Sequence, residues 1–422
     1  MIGLLEHLGS IRQFGTNARL FLTVNALGSM SHAIFSLVFN LYIYSLGYRQ
    51  DFIGLLNGLP ALVVLLIGLP IGMAADRRGY LGFLRVGAVL STASCLGLAL
   101  GQSPALLVGC SLVGGVGGAL SWVIGAPFMM SLTRPEDRVT LFSVASALSL
   151  ATGFAGSLLG GALPGVFAAW WGMAASDAQP LRWALMAAVA FSALSFLPLL
   201  VMRETRTARP ATSRPLPRGR REISLFLKLL TPSALVSFGA GAMVVFFQLF
   251  FRLRFNLEPR TIGTLFAFSA VTTALATLAA PVLARRSGKV RTVVLTQMAS
   301  IPFLLLLAYS HDLRWVVTAY YFRQMLMNMG GPVQHIFSLE QVREDQRATF
   351  SSLSAMLGSL GRGGLGPIVS GILQVRGGFS AAFTLTSVCY VTGALLFHFF
   401  FRHTEGEPAA AGRVPAAAGP GR

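Results

Sequence analysis

Long apolar stretches separated by short polar segments make up most of the chain. A window of about 19 residues, the length that crosses a bilayer as a helix, finds twelve such stretches. Their approximate bounds are 20–46, 51–73, 84–102, 106–132, 140–170, 182–202, 228–253, 261–283, 290–310, 314–338, 348–374 and 380–402. The pattern predicts an all-α membrane protein with twelve transmembrane helices, numbered here as spans 1 to 12.

Three segments do not have the pattern of a span. Residues 1–18 carry Leu4, Leu5 and Leu8 at helical spacing, which predicts a short interfacial helix. Residues 203–224 form a basic linker that contains proline, and residues 403–422 form a low-complexity tail for which we predict disorder. These segments separate an N-terminal six-helix half, residues 19–202, from a C-terminal six-helix half, residues 225–402.

The two halves are related in sequence. When the chain is shifted along itself by about 209 residues, Ile53-Gly54 matches Ile262-Gly263 and Phe39-Asn40 matches Phe247-Gln248. Each match is weak alone, but chance matches would not share one offset. Because each repeat has an even number of spans, we expect two parallel halves with a cleft between them.

The distribution of charge predicts partners and orientation. Charged residues form 11% of the chain, against about 25% in soluble proteins. The net charge of +18 could indicate a nucleic-acid partner, but the basic residues lie in short clusters between spans. We therefore expect a lipid bilayer as partner and no nucleic acid. Of 33 basic residues, 24 lie on one side and 7 on the other. The positive-inside rule then places both termini in the cytoplasm, with the chain a multi-pass protein of the bacterial inner membrane.

The loop between spans 2 and 3 resembles a family signature. Gly72, Asp76, Arg77 and Gly79 match the G-x-L-a-D-r-x-G-r-k motif of the major facilitator superfamily. The second half keeps the pattern but has Arg285 where the acid would stand. The resemblance covers about residues 19–402. It implies two pseudo-symmetric six-helix halves around a central cavity and alternating access, and it implies no particular substrate.

The resemblance also implies a cytoplasmic latch. Asp76 lies among arginines, and such a carboxylate can pair with Arg or interact with a helix N-terminus, so that it holds the halves together when the cytoplasmic side is closed. The alternative is an ordinary loop. The predicted latch residues are Gly72, Asp76, Arg77, Gly79, Arg138 and Arg347.

Small residues in spans 5 and 11 predict close helix packing. Gly156 and Gly160 form a GxxxG step, which brings helix backbones together. The segment is similar to the G-P-x-x-G-G element of antiporters in the same family, with Ser157 in the proline position. Span 11 carries Gly366 and Pro367. We predict a hinge for rocking at these residues, and simple helix packing is the alternative.

Polar residues recur on one face of span 1 and also in spans 7 and 10. A polar stripe in a membrane helix should face a cavity or another helix, and the resemblance places spans 1, 4, 7 and 10 around the cavity. Arg323 and Arg362 lie inside apolar stretches, whereas every acid lies in a loop, tail or span end. The predicted substrate-binding residues are Asn25, Ser29, His32, Ser36, Asn40, Trp122, Gln248, Tyr320, Arg323, Gln324, Asn328 and Arg362.

These features favour a secondary active transporter of a small anionic, zwitterionic or amphipathic organic molecule. A proton-coupled multidrug exporter and a facilitative uniporter remain open, and a non-transporting membrane receptor is a more remote alternative. The ordinary pKa of a histidine side chain, about 6.5, suits proton handling, so His32 makes protons a candidate coupling partner, with another ion as the alternative. The sequence shows no nucleophile–base set, no metal-ligand spacing and no phosphate loop. We therefore expect a monomer that is not an enzyme and needs no cofactor or metal.

Overall fold

The computed structural model describes residues 14–134, 137–203 and 219–403, and every regular element within those ranges is helical. Spans 1 to 6 are, in order, Thr16–Ser45, Gln50–Arg78, Leu81–Leu100, Pro104–Ser131, Arg138–Trp171 and Ala178–Val201. Span 7 is divided into Arg220–Val244 and Phe247–Phe255. Spans 8, 9 and 10 are Pro259–Ser287, Lys289–Tyr309 and Leu313–Gln341.

Spans 11 and 12 form one nearly continuous run. Span 11 begins with Arg347–Ser359 and passes through the π-helical turn Leu360–Leu365 into the helix Gly366–Phe401. Gly378 interrupts that helix with a φ of 66° and a ψ of −172°, and this residue separates span 11 from span 12. A positive φ is open to glycine without the steric cost that a side chain brings.

Within the described residues, ten helical segments are long and apolar enough to cross a membrane. One of the ten is Glu344–Phe401, which contains both span 11 and span 12, and span 10 is not among them. Span 10 is the helix that carries Arg323, Gln324 and Asn328. The twelve-helix architecture predicted from the apolar stretches is confirmed.

The spans assemble into two halves with the same internal packing. Span 1 packs against spans 5 and 6, and span 7 packs against spans 11 and 12. Between the halves, span 2 packs against span 11, and span 5 packs against span 8. Span 1 begins and span 12 ends on the same side, called here the terminal face. The side where span 1 ends at Ser45 is called the opposite face.

Three apolar clusters show how the halves meet. One cluster joins both halves near the opposite face, with Ile34 and Ile53 from the first half and Phe247 and Tyr390 from the second. A second cluster lies near the terminal face and belongs to the first half alone, and a third, around Phe350, belongs to the second half alone. The halves therefore share a core near the opposite face and have separate cores near the terminal face.

The helix boundaries correct the sequence-based segmentation at several helix ends. Span 2 continues to Arg78, with Ala75 buried in the second cluster, so Gly72, Asp76 and Arg77 lie in its last turns and not in a loop. Span 7 begins at Arg220, eight residues before its predicted start and inside the predicted linker 203–224. The reason is that Phe226, Leu229 and Leu230 are buried against the third cluster, which extends the helix beyond the strictly apolar stretch. The predicted interfacial helix lies mostly outside the described residues, although Thr16–Ala18 already belong to span 1. The tail prediction also lies outside them.

Candidate functional site

The polar stripe of span 1 faces the space between the halves. The other faces of this helix are occupied: Ser31 donates to the carbonyl oxygen of Ala188 in span 6 (2.7 Å), and Ile34 lies against Gly160 of span 5. His32 and Ser36 are accessible, and Asn25 and Ser29 are half-buried. The stripe therefore lines the central space between the halves.

Asn40 and Gln248 close this space toward the opposite face. Asn40 donates from Nδ2 to the carbonyl oxygen of Val245 in span 7 (2.6 Å), and Gln248 donates from Nε2 to the carbonyl oxygen of Ser36 in span 1 (2.9 Å). Asn57 of span 2 donates to Oδ1 of Asn40 (2.8 Å). In this conformation Asn40 and Gln248, both among the predicted substrate-binding residues, are buried and connect the two halves.

Glycines without side chains bring the halves together near the same face. A Cβ atom built on Gly54 of span 2 would lie 2.3 Å from the carbonyl oxygen of Pro367 in span 11. A Cβ atom built on Gly263 of span 8 would lie 2.7 Å from the Cα of Gly161 in span 5. Real Cβ contacts are not this short, so the present approach of the halves requires glycine at both places.

The predicted hinge residues divide into two groups. Gly156 packs against Met30 and Ala33 of span 1, and Gly160 packs against Ile34, so both lie inside the N-terminal half. Gly366 packs against Gly241 of span 7 inside the C-terminal half. Pro367 alone of the four meets the other half. The hinge role itself stays a prediction.

Arg323 is the most buried charge near the cavity, with 2% of its surface exposed. Its guanidinium donates to Oε1 of Gln324 and to the hydroxyl of Tyr390 in span 12. The rings of Phe247 and Tyr390 lie 5.8 and 5.6 Å from the guanidinium carbon, within range of a cation–π interaction. Its Nε has no hydrogen-bond partner in the described part of the chain.

Arg362 differs from Arg323 because its side chain is accessible. It belongs to the π-helical turn of span 11, and its backbone carbonyl lies against Gly241 of span 7. Single π-helical turns inside longer helices are frequent at functional sites. Arg362 is close enough to Arg323 and Tyr390 to interact with both electrostatically. The two guanidinium groups therefore share one region.

The remaining predicted residues of span 10 support this region. Asn328 donates to the backbone carbonyl of Gln324 (2.8 Å), one turn away. Tyr320 is buried, with its ring stacked on Phe266 and edge-on to Phe247. Gln324 and Asn328 remain half-buried beside the central space. Tyr320 differs from them because it packs among the aromatic rings on the side of this region that is nearer the opposite face.

Trp122 stands apart from the other predicted residues. Its side chain is 82% exposed, and no described contact connects it to Arg323, His32 or the stripe. The glycines one turn away on the same side of span 4, Gly118 and Gly125, have open space around them. Leu120, on another side of the helix, is buried. Stacking of Trp122 on a substrate stays a prediction.

The predicted latch residues do not meet across the halves in this conformation. The hydroxyl of Tyr80 donates to Oδ1 of Asp76 (2.8 Å), and burial together with this carboxylate raises the pKa of Tyr80 to about 12. Arg347 pairs with Glu344 (3.4 Å) inside the C-terminal half. Arg138 has a buried Nε without a partner among the described residues. Arg77 is exposed, and Gly72 lies beside Val123 of span 4.

The turn after span 2 has an equivalent in the second half. Gly79 has a φ of 96°, and its sequence equivalent Gly288 has a φ of 86°. At each of these glycines one helix ends, and the next helix begins after a sharp turn. The repeat deduced from the sequence is therefore present in the backbone.

Some residues of the site were not predicted. Tyr390, Phe247 and Gly161 were not assigned roles, because an aromatic or glycine residue inside an apolar span has many ordinary uses. Asn57 could have been found, since it is a polar residue in span 2 that lies three residues before the first of two prolines. In the described residues, no three His, Cys, Asp or Glu side chains are grouped so that they could hold a metal ion.

Two related bundles around a central polar space, joined on one side and with one buried arginine, define a multi-span membrane protein. The chain belongs to the Major Facilitator Superfamily, whose family model matches residues 21–363 and 233–420. No curated protein shows significant sequence similarity to it.

Solved structures with the same fold are transporters. A bacterial homologue of the human lysosomal transporter Spinster, inward-facing and occupied, has a TM-score of 0.75 and 18% identity over 93% of this chain and 98% of its own. The nucleoside transporter NupG has a TM-score of 0.69 and 15% identity over 93% and 100%. The human organic anion transporter MFSD10 has a TM-score of 0.61 and 18% identity over 90% and 99%. At these identities the similarity establishes the fold.

Proposed function

We propose that this chain is a secondary active transporter that moves a small organic anion across the bacterial cytoplasmic membrane by alternating access. The observation that carries the proposal is Arg323, a buried guanidinium held by Tyr390 and Gln324 without a carboxylate among the described residues. A charge at this depth costs about 2.5–3.5 kcal/mol on insertion scales and is by default functional. The positive potential favours an anionic group in the cavity.

The two arginines have different roles in this proposal. Arg362 is accessible and contacts the anionic group of the substrate directly, where a guanidinium can donate two parallel hydrogen bonds to a carboxylate or phosphate. Arg323 packs against the rings of Phe247 and Tyr390, and in this proposal it supplies positive charge to the cavity without contacting the substrate. The remainder of the substrate lies against the span 1 stripe and the half-buried amides of Gln324 and Asn328.

Alternating access explains why the latch residues are apart. The halves are joined at the opposite face by the Asn40 and Gln248 hydrogen bonds, which leaves the cavity accessible from the terminal face. The positive-inside rule predicts that the terminal face is cytoplasmic, because most basic loops lie there. In the alternate state the terminal face closes, and Asp76 finds a partner across the halves, for which Arg347 at the start of span 11 is the candidate among the predicted latch residues.

Transport into proteoliposomes tests the proposal. Flux of carboxylate and phosphate-bearing candidates is compared with flux of cationic and zwitterionic ones. We expect anion flux that Arg362→Gln lowers at least tenfold and that Arg362→Lys partly retains. Arg314→Gln, which removes an exposed charge from span 10 at the opposite face, is the matched control and should leave flux unchanged. Flux of cations alone, or full anion flux in Arg362→Gln, would contradict the anionic substrate.

His32 favours proton coupling as a second element of the function. It is accessible in the middle of the span 1 stripe, and an imidazole side chain can bind and release a proton. We expect a proton gradient to drive substrate against its concentration gradient in the wild type, and His32→Gln to retain only downhill flux. If the wild type shows downhill flux with no response to the proton gradient, the chain is a facilitative uniporter and His32 is a structural residue.

A further inference from the structure

A groove lies between spans 7 and 12 near the terminal face, separate from the central cavity. Its volume is about 500 Å³. Span 7 contributes Arg220, Ser224, Leu227 and Lys228, and span 12 contributes Leu396 and Phe400. One end of the groove is thus basic and hydroxyl-bearing, and its walls are apolar.

The groove is on the bilayer side of span 7. The other sides of this helix are occupied, since Gly239 packs against Cys389 of span 12, Ser233 accepts a hydrogen bond from Gln334 of span 10, and Gly241 packs against span 11. Leu227, on the remaining side, is 59% exposed. In a membrane protein, such an apolar exposed side faces lipid.

The charge of the groove is not compensated. The Nζ of Lys228 lies 6.0 Å from the centre of the Phe400 ring, and it forms no ion pair with a described residue. The nearby acid, Glu222, accepts hydrogen bonds from Gln346 (3.0 Å) and Arg343. The only other lysine, Lys289, is paired with Glu340 at 2.5 Å. Lys228 and Arg220 therefore present positive charge to whatever occupies the groove.

We propose that this groove binds one anionic phospholipid of the leaflet at the terminal face. Lys228 and Arg220 hold the phosphate, Ser224 adds a hydroxyl donor, and an acyl chain lies along Leu227, Leu396 and Phe400. Basic pockets between membrane helices are suited to anionic headgroups, and the start of span 7 adds the positive end of a helix dipole. The basic linker is a poor occupant, because residues 204–218 carry four arginines and one glutamate and are repelled by Lys228.

Native mass spectrometry of the purified full chain tests the site. The protein is titrated with phosphatidylglycerol and, separately, with phosphatidylethanolamine. We expect preferential binding of phosphatidylglycerol, an affinity about fivefold lower in Lys228→Gln, and a further loss of similar size when Arg220→Gln is added. Lys228→Arg should retain binding. Inorganic phosphate should not displace the lipid, because it lacks the acyl chain.

Lys289→Gln is the matched control, since it removes the other lysine from the same face outside the groove and should leave lipid binding unchanged. Thermal unfolding without added lipid checks that the variants are folded. If Lys228→Gln does not fold, Arg220→Gln and Lys228→Arg still decide the outcome. Equal binding of both lipids, wild-type affinity in the double variant, or an equal loss in Lys289→Gln would overturn the proposal. A mass that shows dimers with no bound lipid would also overturn it.

Discussion

Asn40 and Gln248 occupy equivalent positions in the two halves, and each donates a hydrogen bond to the backbone of the other's helix. Asn40 reaches the carbonyl oxygen of Val245 at 2.6 Å, and Gln248 reaches that of Ser36 at 2.9 Å. The closure of the opposite face thus follows the internal symmetry of the chain. Its bonds join spans 1 and 7, which lie beside the centre of the molecule, and they form only when the halves meet on this side.

Removing these two amides should weaken the closed opposite face. A buried intramolecular hydrogen bond contributes about 0.5–1.5 kcal/mol net, so Asn40→Ala and Gln248→Ala should each shift the population toward the state open at the opposite face by about two- to thirteenfold. Reactivity of a cysteine introduced beside Ser36 toward an impermeant thiol reagent measures this. Ser45→Ala is the control and should show no change, because the Ser45 hydroxyl donates to the Tyr42 carbonyl oxygen of its own helix.

The glycine contacts predict a stronger shift. Gly54→Ala places a methyl group 2.3 Å from the Pro367 carbonyl oxygen, and overpacking of this kind typically costs about 1–3 kcal/mol. We expect the halves to separate at the opposite face and transport to fall. The distance between spin labels at the opposite-face ends of spans 2 and 11 reports the separation. Gly118→Ala, which meets open space, should behave as the wild type. An unchanged distance in Gly54→Ala would mean that this contact does not hold the halves.

Tyr390 should matter for anion binding through Arg323. Tyr390→Phe keeps the ring but removes the hydroxyl that accepts from the guanidinium, and hydrogen bonds to charged groups contribute about 1.5–3 kcal/mol. We expect the released guanidinium to lose its orientation and the apparent affinity for the transported anion to fall about tenfold or more. Flux measured over a range of substrate concentrations separates affinity from turnover. Tyr321→Phe is the control, since it removes a hydroxyl from the residue that follows the buried Tyr320 in span 10.

Asp76 should affect turnover more than stability. In this conformation it interacts with Tyr80 and forms no ion pair with the other half among the described residues. Asp76→Asn should therefore change the thermal unfolding temperature little, while transport falls because the state closed at the terminal face loses its carboxylate. Asp177→Asn, at the opposite face, is the comparison. Equal loss of stability and transport in Asp76→Asn would assign it a structural role.

The Tyr80–Asp76 contact is not a pH switch in the physiological range. Because burial and the adjacent carboxylate raise the pKa of Tyr80 to about 12, the folded protein holds this proton more tightly than an exposed tyrosine does. The associated stability is present below the ordinary value near 10 and is lost as pH rises toward 12. Tyr80→Phe should therefore leave the pH profile of transport between pH 5 and 8 unchanged. A shift of the profile would contradict this assignment.

Several features followed from the sequence alone. The twelve spans are visible because each must supply about 20 predominantly apolar residues, and this requirement does not depend on how the helices pack. The relation between halves is visible because a common offset survives even where single residues have changed, as the turns at Gly79 and Gly288 confirm. The span 1 stripe is visible because a polar face in a membrane helix needs a polar environment.

Only the tertiary structure decided which of these residues meet. Asn40 and Gln248 are polar in the sequence, but their reciprocal bonds depend on how the halves approach. Gly160 and Gly161 are neighbours in one glycine-rich segment, yet Gly160 packs inside its half and Gly161 meets Gly263 across the interface, because a turn of about 100° per residue points them to different partners. The helical period of the sequence indicates which side of a helix a residue occupies. The packing of the two bundles determines what lies on that side.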